Sequence, residues 1–316
     1  MLDSRDRETD QVAQIVLVHG IAQEQHSASE LKDSWLPSLV GGLENAGHAP
    51  LAEQLRNGGF TVGMAFYGSQ FLTPDRQGSE TAAFTPTEET MAEELAMDLL
   101  YNARLSSNRN DRSEARRRLA AITQDSEDEQ GPLHATATRA VAALDRLPWF
   151  SRGGGLDGAA SVHRALSQVV RYFSDDSIRS YAMSQVSEHL GPDTRVVIGH
   201  SLGSVVAYES LRAYRGDKVI PLFLSLGSPL GLSMVSNRLQ PQPPEFPAAV
   251  ARWVNLAAPD DVVAARSDLH ERFERNRPHD AVLERTWKVD NGSKPHQVNF
   301  YLTKSTAGAA MADALL

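Results

Sequence analysis

Short apolar runs, each ended by glycine or a polar turn, recur along the chain at intervals typical of buried strands. The first, Ile15 to Val18, is wholly apolar and stops at His19-Gly20. A run without polar alternation is typical of a strand covered on both faces. Five further segments are predicted as strands: 60–67, 194–198, 219–226, 252–256 and 286–289.

Helical or loop segments separate these runs, among them the predicted helices 31–44 and 202–214. Strands that alternate with helices call for a parallel sheet with helices on both faces. The sequence therefore predicts the α/β class, with a mainly parallel sheet of about six strands.

One long gap interrupts this alternation, because no convincing strand occurs between Ser69 and Leu190. Thr85-Pro86-Thr87-Glu88 has the residues of a capping box and begins a predicted helix. Further helices are predicted in this gap over 133–147, 159–173 and 177–190, with polar loops over 106–111 and 124–131. We therefore divide the chain into a core, 1–68 and 191–316, and a helical insertion or cap, 69–190.

Composition narrows the possible partners. The 316 residues include 31 Lys plus Arg and 40 Asp plus Glu, for a net charge of −9. Such a field repels phosphate backbones and anionic lipid headgroups, so we expect no nucleic-acid partner. The chain has no cysteine, which excludes disulfides, thiolate metal sites and cysteine nucleophiles.

The sequence shows no motif for protein targeting or for cofactor binding. The first ten residues are polar, and no stretch approaches the roughly 18 apolar residues of a membrane-spanning helix. We expect a cytoplasmic protein without stable membrane insertion. No metal-binding or dinucleotide-binding motif occurs, so we expect no metal and no cofactor. The sequence carries no signal for an oligomeric state.

The segment Gly199-His200-Ser201-Leu202-Gly203 follows the strongest predicted strand and precedes a predicted helix. The pattern G-x-S-x-G needs small residues two before and two after the serine, because the turn is too tight for β-carbons there. The strained turn lifts the serine hydroxyl clear of the sheet, and the helix directs its positive end at any anion formed beside it. This strand–turn–helix context indicates a nucleophilic Ser201.

With this motif the sequence resembles the α/β-hydrolase superfamily, in its lipase and esterase-like branch. The resemblance covers the sheet-forming segments at both ends of the chain and leaves the insertion out. It implies an α/β-hydrolase fold and a catalytic triad in the chain order serine, acid, histidine.

A serine nucleophile needs a nearby base, because free serine is hardly ionised at neutral pH. His296 follows the last predicted strand, where the resemblance places the family's late loop histidine. His270 and His279 lie in a charged stretch and are expected to face solvent. We therefore predict His296 as the base.

The base needs a carboxylate to orient it. The fifth predicted strand ends in Pro259-Asp260-Asp261-Val262-Val263-Ala264, which resembles the family's acid turn. Aligning Asp261-Val262-Val263-Ala264 with that turn favours Asp261 and leaves Asp260 as the alternative. Asp290 is a weaker third candidate. Either aspartate could instead only cap the helix expected to begin near Val262.

The oxyanion that forms on the substrate needs preorganised N–H donors. One is expected to be the backbone amide of Leu202. The other is expected from the loop after the first strand, His19-Gly20-Ile21-Ala22, which resembles the family's oxyanion turn. Gly20 lets the chain bend, and either Ile21 or Ala22 offers the amide.

These residues predict a serine hydrolase that cleaves an ester or related acyl bond of a small-molecule substrate through an acyl-enzyme. The insertion would lie over the site and could act as a lid. A serine peptidase or amidase on the same scaffold is one alternative. The other is a catalytically idle binding module in which the insertion is a docking surface.

Overall fold

A computed structural model of the chain describes residues 12–72, 84–128, 140–144, 146–151, 160–264 and 269–316. Within these ranges it shows a seven-stranded sheet with helices on both faces, which confirms the predicted α/β class. The strands are β1 (Ile15–Val18), β2 (Val62–Ala65), β3 (Val196–His200), β4 (Ile220–Leu226), β5 (Val250–Ala257), β6 (Val282–Leu283) and β7 (Trp287–Lys288).

The strand order is β2-β1-β3-β4-β5-β6, with β7 also paired to β5, and every pairing is parallel. From β1 the chain continues to β2 on one side and to β3 on the other. The carboxyl ends of β1 and β3 therefore flank a topological switch point, where open α/β sheets bind their ligands. Val18 pairs with Gly199, so the loops that follow these two strands start at the same level.

Eight helices of eight or more residues lie within the described ranges. They are α1 (Ala28–Asn45), α2 (Ala49–Arg56), α3 (Pro86–Ala103), α4 (Arg109–Asp128), α5 (Ala160–Ser174), α6 (Asp176–Ser187), α7 (Leu202–Ala213) and α8 (Ser305–Leu315). Shorter helices cover Pro148–Ser151, Ser233–Ser236, His270–Phe273 and Val298–Leu302, residues 140–144 are also helical, and 3₁₀ turns cover Gly68–Phe71 and Pro229–Gly231.

Alternate strand residues face opposite sides of the sheet, which explains why the strands are apolar throughout. Val16 and Val18 belong to one hydrophobic core together with α3, α5 and α7. Ile15 and Leu17 belong to a second core, built with α1, α2 and α8. The insertion helices thus share the first core, and the helices nearest the two ends of the chain cover the other face.

The six predicted strands all occur, with ends shifted by up to two residues. The two-residue strand β6 was not predicted, since Val282–Leu283 is too short to show a pattern. Thr85 caps α3 with a complete capping box, as its sequence predicts. Two predicted loops were partly wrong, because α4 begins at Arg109 and continues to Asp128. Of the predicted helix 133–147, residues 133–139 and 145 lie outside the described ranges.

No helix within the described residues has both the length and the apolar character needed to cross a membrane.

Candidate active site

Ser201 lies at the junction of β3 and α7 in a strained conformation. Its φ is 52° and its ψ is −131°, a region that L-residues rarely adopt and that costs about 1–3 kcal/mol. The Ser201 amide donates a hydrogen bond to the carbonyl of Leu226 at 3.0 Å, which ties the turn to the neighbouring strand β4. Ser201 is 4% exposed, and its hydroxyl forms no hydrogen bond with a described residue.

The two glycines of the motif are required by close backbone approach. A β-carbon on Gly199 would lie 2.5 Å from the Ser204 α-carbon. One on Gly203 would lie 2.2 Å from the Val18 carbonyl oxygen. The start of α7 therefore packs directly on the end of β1, which brings the loop after β1 to the serine.

His296 and Asp261, which are 35 positions apart in the chain, meet beside this turn. The Nδ1 atom of His296 lies 2.8 Å from Oδ2 of Asp261. Both side chains are buried, Asp261 fully so. Since a carboxylate only accepts, the imidazole donates from Nδ1, which leaves Nε2 free to accept a proton.

The other contacts of Asp261 fix this geometry. Its Oδ1 accepts hydrogen bonds from the amides of Val263 and Ala264 at 3.0 and 3.3 Å. The Tyr301 hydroxyl donates to Oδ2 at 2.8 Å and accepts from the Ala258 amide at 2.9 Å. Burial and the nearby Asp261 charge raise the pKa of Tyr301 well above its usual value, so the hydroxyl remains a donor. No pattern in the sequence indicates that Tyr301 would bind the carboxylate of Asp261.

Asp260 points away from the histidine and binds the loop before α4. Its Oδ1 accepts from the Ser106 hydroxyl at 2.8 Å and from the amides of Ser107 and Asn108 at 2.9 and 3.1 Å. Burial disfavours its charge, but these hydrogen bonds outweigh burial and lower the pKa of Asp260. Asp290 closes a local turn through the Gly292 amide. Among the three candidates, the structure brings Asp261 to His296.

His200, the residue before the serine, supports the histidine loop. Its Nε2 donates to the carbonyl of His296 at 2.9 Å, and the two ring centroids are 4.7 Å apart. Burial, followed by the nearby His296, lowers the pKa of His200 well below its usual value. His200 is therefore a neutral donor that holds the backbone of His296.

The loop after β1 lies against Ser201 because residue 20 has no side chain. A β-carbon on Gly20 would lie 2.8 Å from the Ser201 β-carbon. The preceding His19 is buried, accepts from the Tyr67 amide at Nε2 (3.1 Å) and donates from Nδ1 to the Gly20 carbonyl (2.7 Å). Burial lowers the pKa of His19 to about 4, so the ring is neutral.

The two amides proposed for this loop differ in their partners. The Ala22 amide donates to Oε1 of Gln168 at 2.8 Å. The amides of Ile21 and Leu202 donate to no described residue, and both residues line the cavity that contains Ser201. Because its amide is free, Ile21 is favoured over Ala22 as the second N–H donor to an oxyanion, beside Leu202.

Gln168, on insertion helix α5, was missed by the sequence reasoning. Its Oε1 accepts from Ala22, whose φ is 60°, and its Nε2 donates to Oε2 of Glu24 at 2.9 Å. Arg164, one turn earlier on α5, lies 3.7 Å from the same carboxylate. A usable signal did exist, because Gln168 is a polar residue on the apolar face marked by Ala165 and Tyr172.

Two cavities meet at Ser201 and His296. An apolar cavity extends between Leu202, Leu232 and the insertion helices α3 and α5. A polar groove runs on the other side, past the loop after β1, the start of α1 and residues 297–299. Ile21, Ser201 and His296 line both spaces, whereas Asp261, which binds His296, lines neither.

Comparisons with protein-family models, with curated proteins and with solved structures found no match to this chain.

Proposed function

We propose that this protein is a serine hydrolase of the α/β-hydrolase type that cleaves an ester bond through an acyl-enzyme. One observation carries the proposal. A serine held at positive φ shares its cavities with a histidine whose Nδ1 is bound to a buried carboxylate. A residue that only ends a strand has no need of this strain, which is typical of functional positions.

The first half of the reaction follows from these positions. His296 Nε2 takes the proton of the Ser201 hydroxyl as Oγ attacks the substrate carbonyl carbon. The carbonyl electron pair moves to oxygen, and the amides of Ile21 and Leu202 stabilise the resulting oxyanion. Asp261 holds the imidazole in the required tautomer and stabilises its charge.

The first half ends when the leaving alcohol departs, and the second half repeats these roles with water. His296 gives its proton to the leaving alcohol, and the carbon–oxygen bond breaks to leave an ester on Ser201. His296 then takes a proton from a water whose oxygen attacks this ester. Collapse of the second oxyanion breaks the bond between the carbonyl carbon and Ser201 Oγ, which receives the proton from His296 as the acid is released. In the resting structure Ser201 and His296 share no hydrogen bond. Catalytic hydrogen bonds often tighten only when substrate binds.

The test is Ser201→Ala beside the wild type, with a p-nitrophenyl butyrate assay and intact-mass analysis after a fluorophosphonate. Wild type should gain the mass of one phosphonyl group and turn over ester, whereas Ser201→Ala should not label and should lose at least about 10⁴-fold in kcat. Ser210→Ala is the matched control, because Ser210 is a buried serine on the same helix α7 whose hydroxyl has no partner.

Equal labelling of wild type and Ser201→Ala would refute the proposal. A wild type that neither labels nor turns over ester would instead favour the binding module. Faster turnover of the matched p-nitroanilide than of the ester would favour an amidase.

A further inference from the structure

Both backbone polar groups of the strained Ser201 are bound to the turn after β4. Its amide donates to the carbonyl of Leu226 at 3.0 Å. Its carbonyl accepts from the amide of Ser204 at 3.0 Å and from the Ser204 hydroxyl at 2.6 Å. The Ser204 hydroxyl oxygen lies 2.7 Å from that of Ser228, which belongs to this turn. The amide of Ser201 thus reaches the turn directly, and the carbonyl reaches it through two side-chain hydroxyls.

The protons of these two hydroxyls can be assigned. A carbonyl oxygen only accepts, so the single hydroxyl proton of Ser204 goes to Ser201, and the Ser228 hydroxyl donates to the Ser204 oxygen. The Ser228 oxygen in turn accepts from the Leu230 amide at 3.2 Å. Ser204 is 0% exposed and Ser228 1% exposed, so bulk water does not compete for these hydrogen bonds. The result is an ordered chain in which each hydroxyl donates once and accepts once.

The same turn supports the acid and the base. Gly227, its middle residue, has a φ of 54°. A β-carbon on Gly227 would lie 2.9 Å from Oδ2 of Asp261 and 3.2 Å from Nδ1 of His296. The Gly227 amide also donates at 3.0 Å to the carbonyl of Leu256 on β5, the strand that leads to Asp261. The turn therefore packs directly against the hydrogen bond that joins the acid to the base.

The separation of Ser201 Oγ from His296 depends on these backbone contacts, because no hydrogen bond joins the two side chains in the resting structure. Within the described ranges, no side chain other than that of Ser204 hydrogen-bonds the Ser201 backbone. A residue keeps a rarely adopted φ only while its surroundings impose it. Without the Ser204 hydroxyl, the Ser201 carbonyl is held less firmly, and Oγ can move relative to His296.

We infer that Ser204 and Ser228 are positioning residues, which hold the nucleophile and the base in register through the turn 226–228. The inference rests on the proposed function and adds these two residues to it. Neither serine lines the cavities that meet at Ser201, so both act through the backbone of Ser201. Their effect should be on the rate at which bound substrate reacts, since a small displacement of Oγ is enough to slow attack.

The test compares Ser204→Ala, Ser228→Ala and the double variant in hydrolysis of p-nitrophenyl butyrate. Intact mass after complete reaction with a fluorophosphonate counts the Ser201 sites that are folded and reactive, so kcat is expressed per labelled site. Ser204→Ala should lower this kcat about tenfold with KM within about twofold, and Ser228→Ala should lower it about threefold. Because Ser228 acts only through Ser204, the double variant should lose about tenfold, whereas independent effects would multiply to about thirtyfold.

Two further variants separate positioning from folding. Ser210→Ala removes another buried serine hydroxyl of α7, one without a partner in the described chain, and should retain the wild-type kcat. Ser228→Thr keeps the hydroxyl and should recover most of the rate that Ser228→Ala loses. A purely structural contribution would lower the labelled fraction and the free energy of unfolding but leave kcat per labelled site unchanged.

The outcomes distinguish this inference from the proposed function. A wild type that does not label at Ser201 refutes the proposed function itself. If wild type labels, the inference alone is overturned by a Ser204→Ala enzyme with wild-type kcat per site, or by single losses that multiply in the double variant. Should Ser204→Ala fail to fold, a Ser228→Ala enzyme with wild-type kcat per site overturns it in the same way.

Discussion

The side-chain oxygen of Gln168 accepts a hydrogen bond from the backbone amide of Ala22, at 2.8 Å across 146 positions of chain. Gln168 belongs to the insertion, and Ala22 to the loop proposed to stabilise the oxyanion. The contact holds Ala22 at φ 60°, a conformation that an alanine adopts only under constraint. The insertion is thus joined to the proposed catalytic loop, which differs from a lid that only covers it.

Gln168→Leu should therefore reduce catalysis more than stability. The variant leaves the Ala22 amide without its acceptor, and the strained loop can relax away from the position in which Ile21 faces the substrate oxygen. Loss of an oxyanion donor commonly lowers kcat by about 10²–10³-fold, and partial displacement should cost about 10-fold or more with KM little changed. Steady-state ester kinetics and thermal unfolding give the two readouts.

Gln185→Leu is the matched control, because Gln185 lies on the neighbouring helix α6 and its side chain hydrogen-bonds Glu188 on the same stretch of chain. A Gln168→Leu enzyme with unchanged kcat would contradict this role for the insertion.

Asp261→Asn and Asp260→Asn should separate the two neighbouring carboxylates. Asp261 binds His296, so its amide variant should lower kcat by about 10³–10⁴-fold through the wrong imidazole tautomer. Asp260 binds residues 106–108, so its variant should instead lower the free energy of unfolding by about 1 kcal/mol and leave kcat within about threefold. Ester kinetics and denaturant titrations of both variants measure the contrast. The reverse ranking in kcat would assign the orienting role to Asp260.

Tyr301→Phe should lower kcat by about 10-fold and leave KM nearly unchanged. The substitution removes the donor to Asp261 Oδ2 and the acceptor of the Ala258 amide, so the carboxylate loses one of the contacts that aim it at His296. A hydrogen bond to a charged group is worth about 1.5–3 kcal/mol, of which only part reaches the transition state. Tyr181→Phe, at a partly exposed tyrosine on α6, provides the comparison. Equal kcat in both variants would show that Tyr301 acts on folding alone.

His19 should make the fold less stable in acid. Because burial lowers its pKa from 6.5 to about 4, the unfolded chain binds a proton between these values that the folded chain does not. The contribution is fully present above about pH 6.5 and is lost as pH falls toward 4, which amounts to about 3 kcal/mol in all. Between pH 7.5 and pH 5 the wild type should lose about 2 kcal/mol from this group.

Denaturant unfolding at the two pH values measures this loss. His19→Gln should lose correspondingly less stability on acidification, whatever its stability at pH 7.5. His279→Gln should follow the wild type, since the His279 side chain is fully exposed. An identical pH dependence in His19→Gln would contradict the prediction.

Much of the local structure was predictable, because it depends on short-range sterics. The apolar run Ile15 to Val18 is a strand covered on both faces, and Thr85 to Glu88 forms the expected capping box. The start of α4 was not predictable from its polar sequence, because the loop before it is held through Ser106 by Asp260, which lies on a distant turn. The β6 strand is two residues long and exists only because it pairs with β5.

The sequence by itself determined the turn at Ser201, since glycine at 199 and 203 is what a tight strand-to-helix turn requires of the local chain. It also placed the candidate acid, base and oxyanion loop after predicted strands. Only the tertiary structure decided between neighbours, in that Asp261 meets His296 while Asp260 binds residue 106, and Ala22 is bound by Gln168 while Ile21 is not. Adjacent residues share one local pattern but point in different directions, so their partners depend on segments far away in the chain.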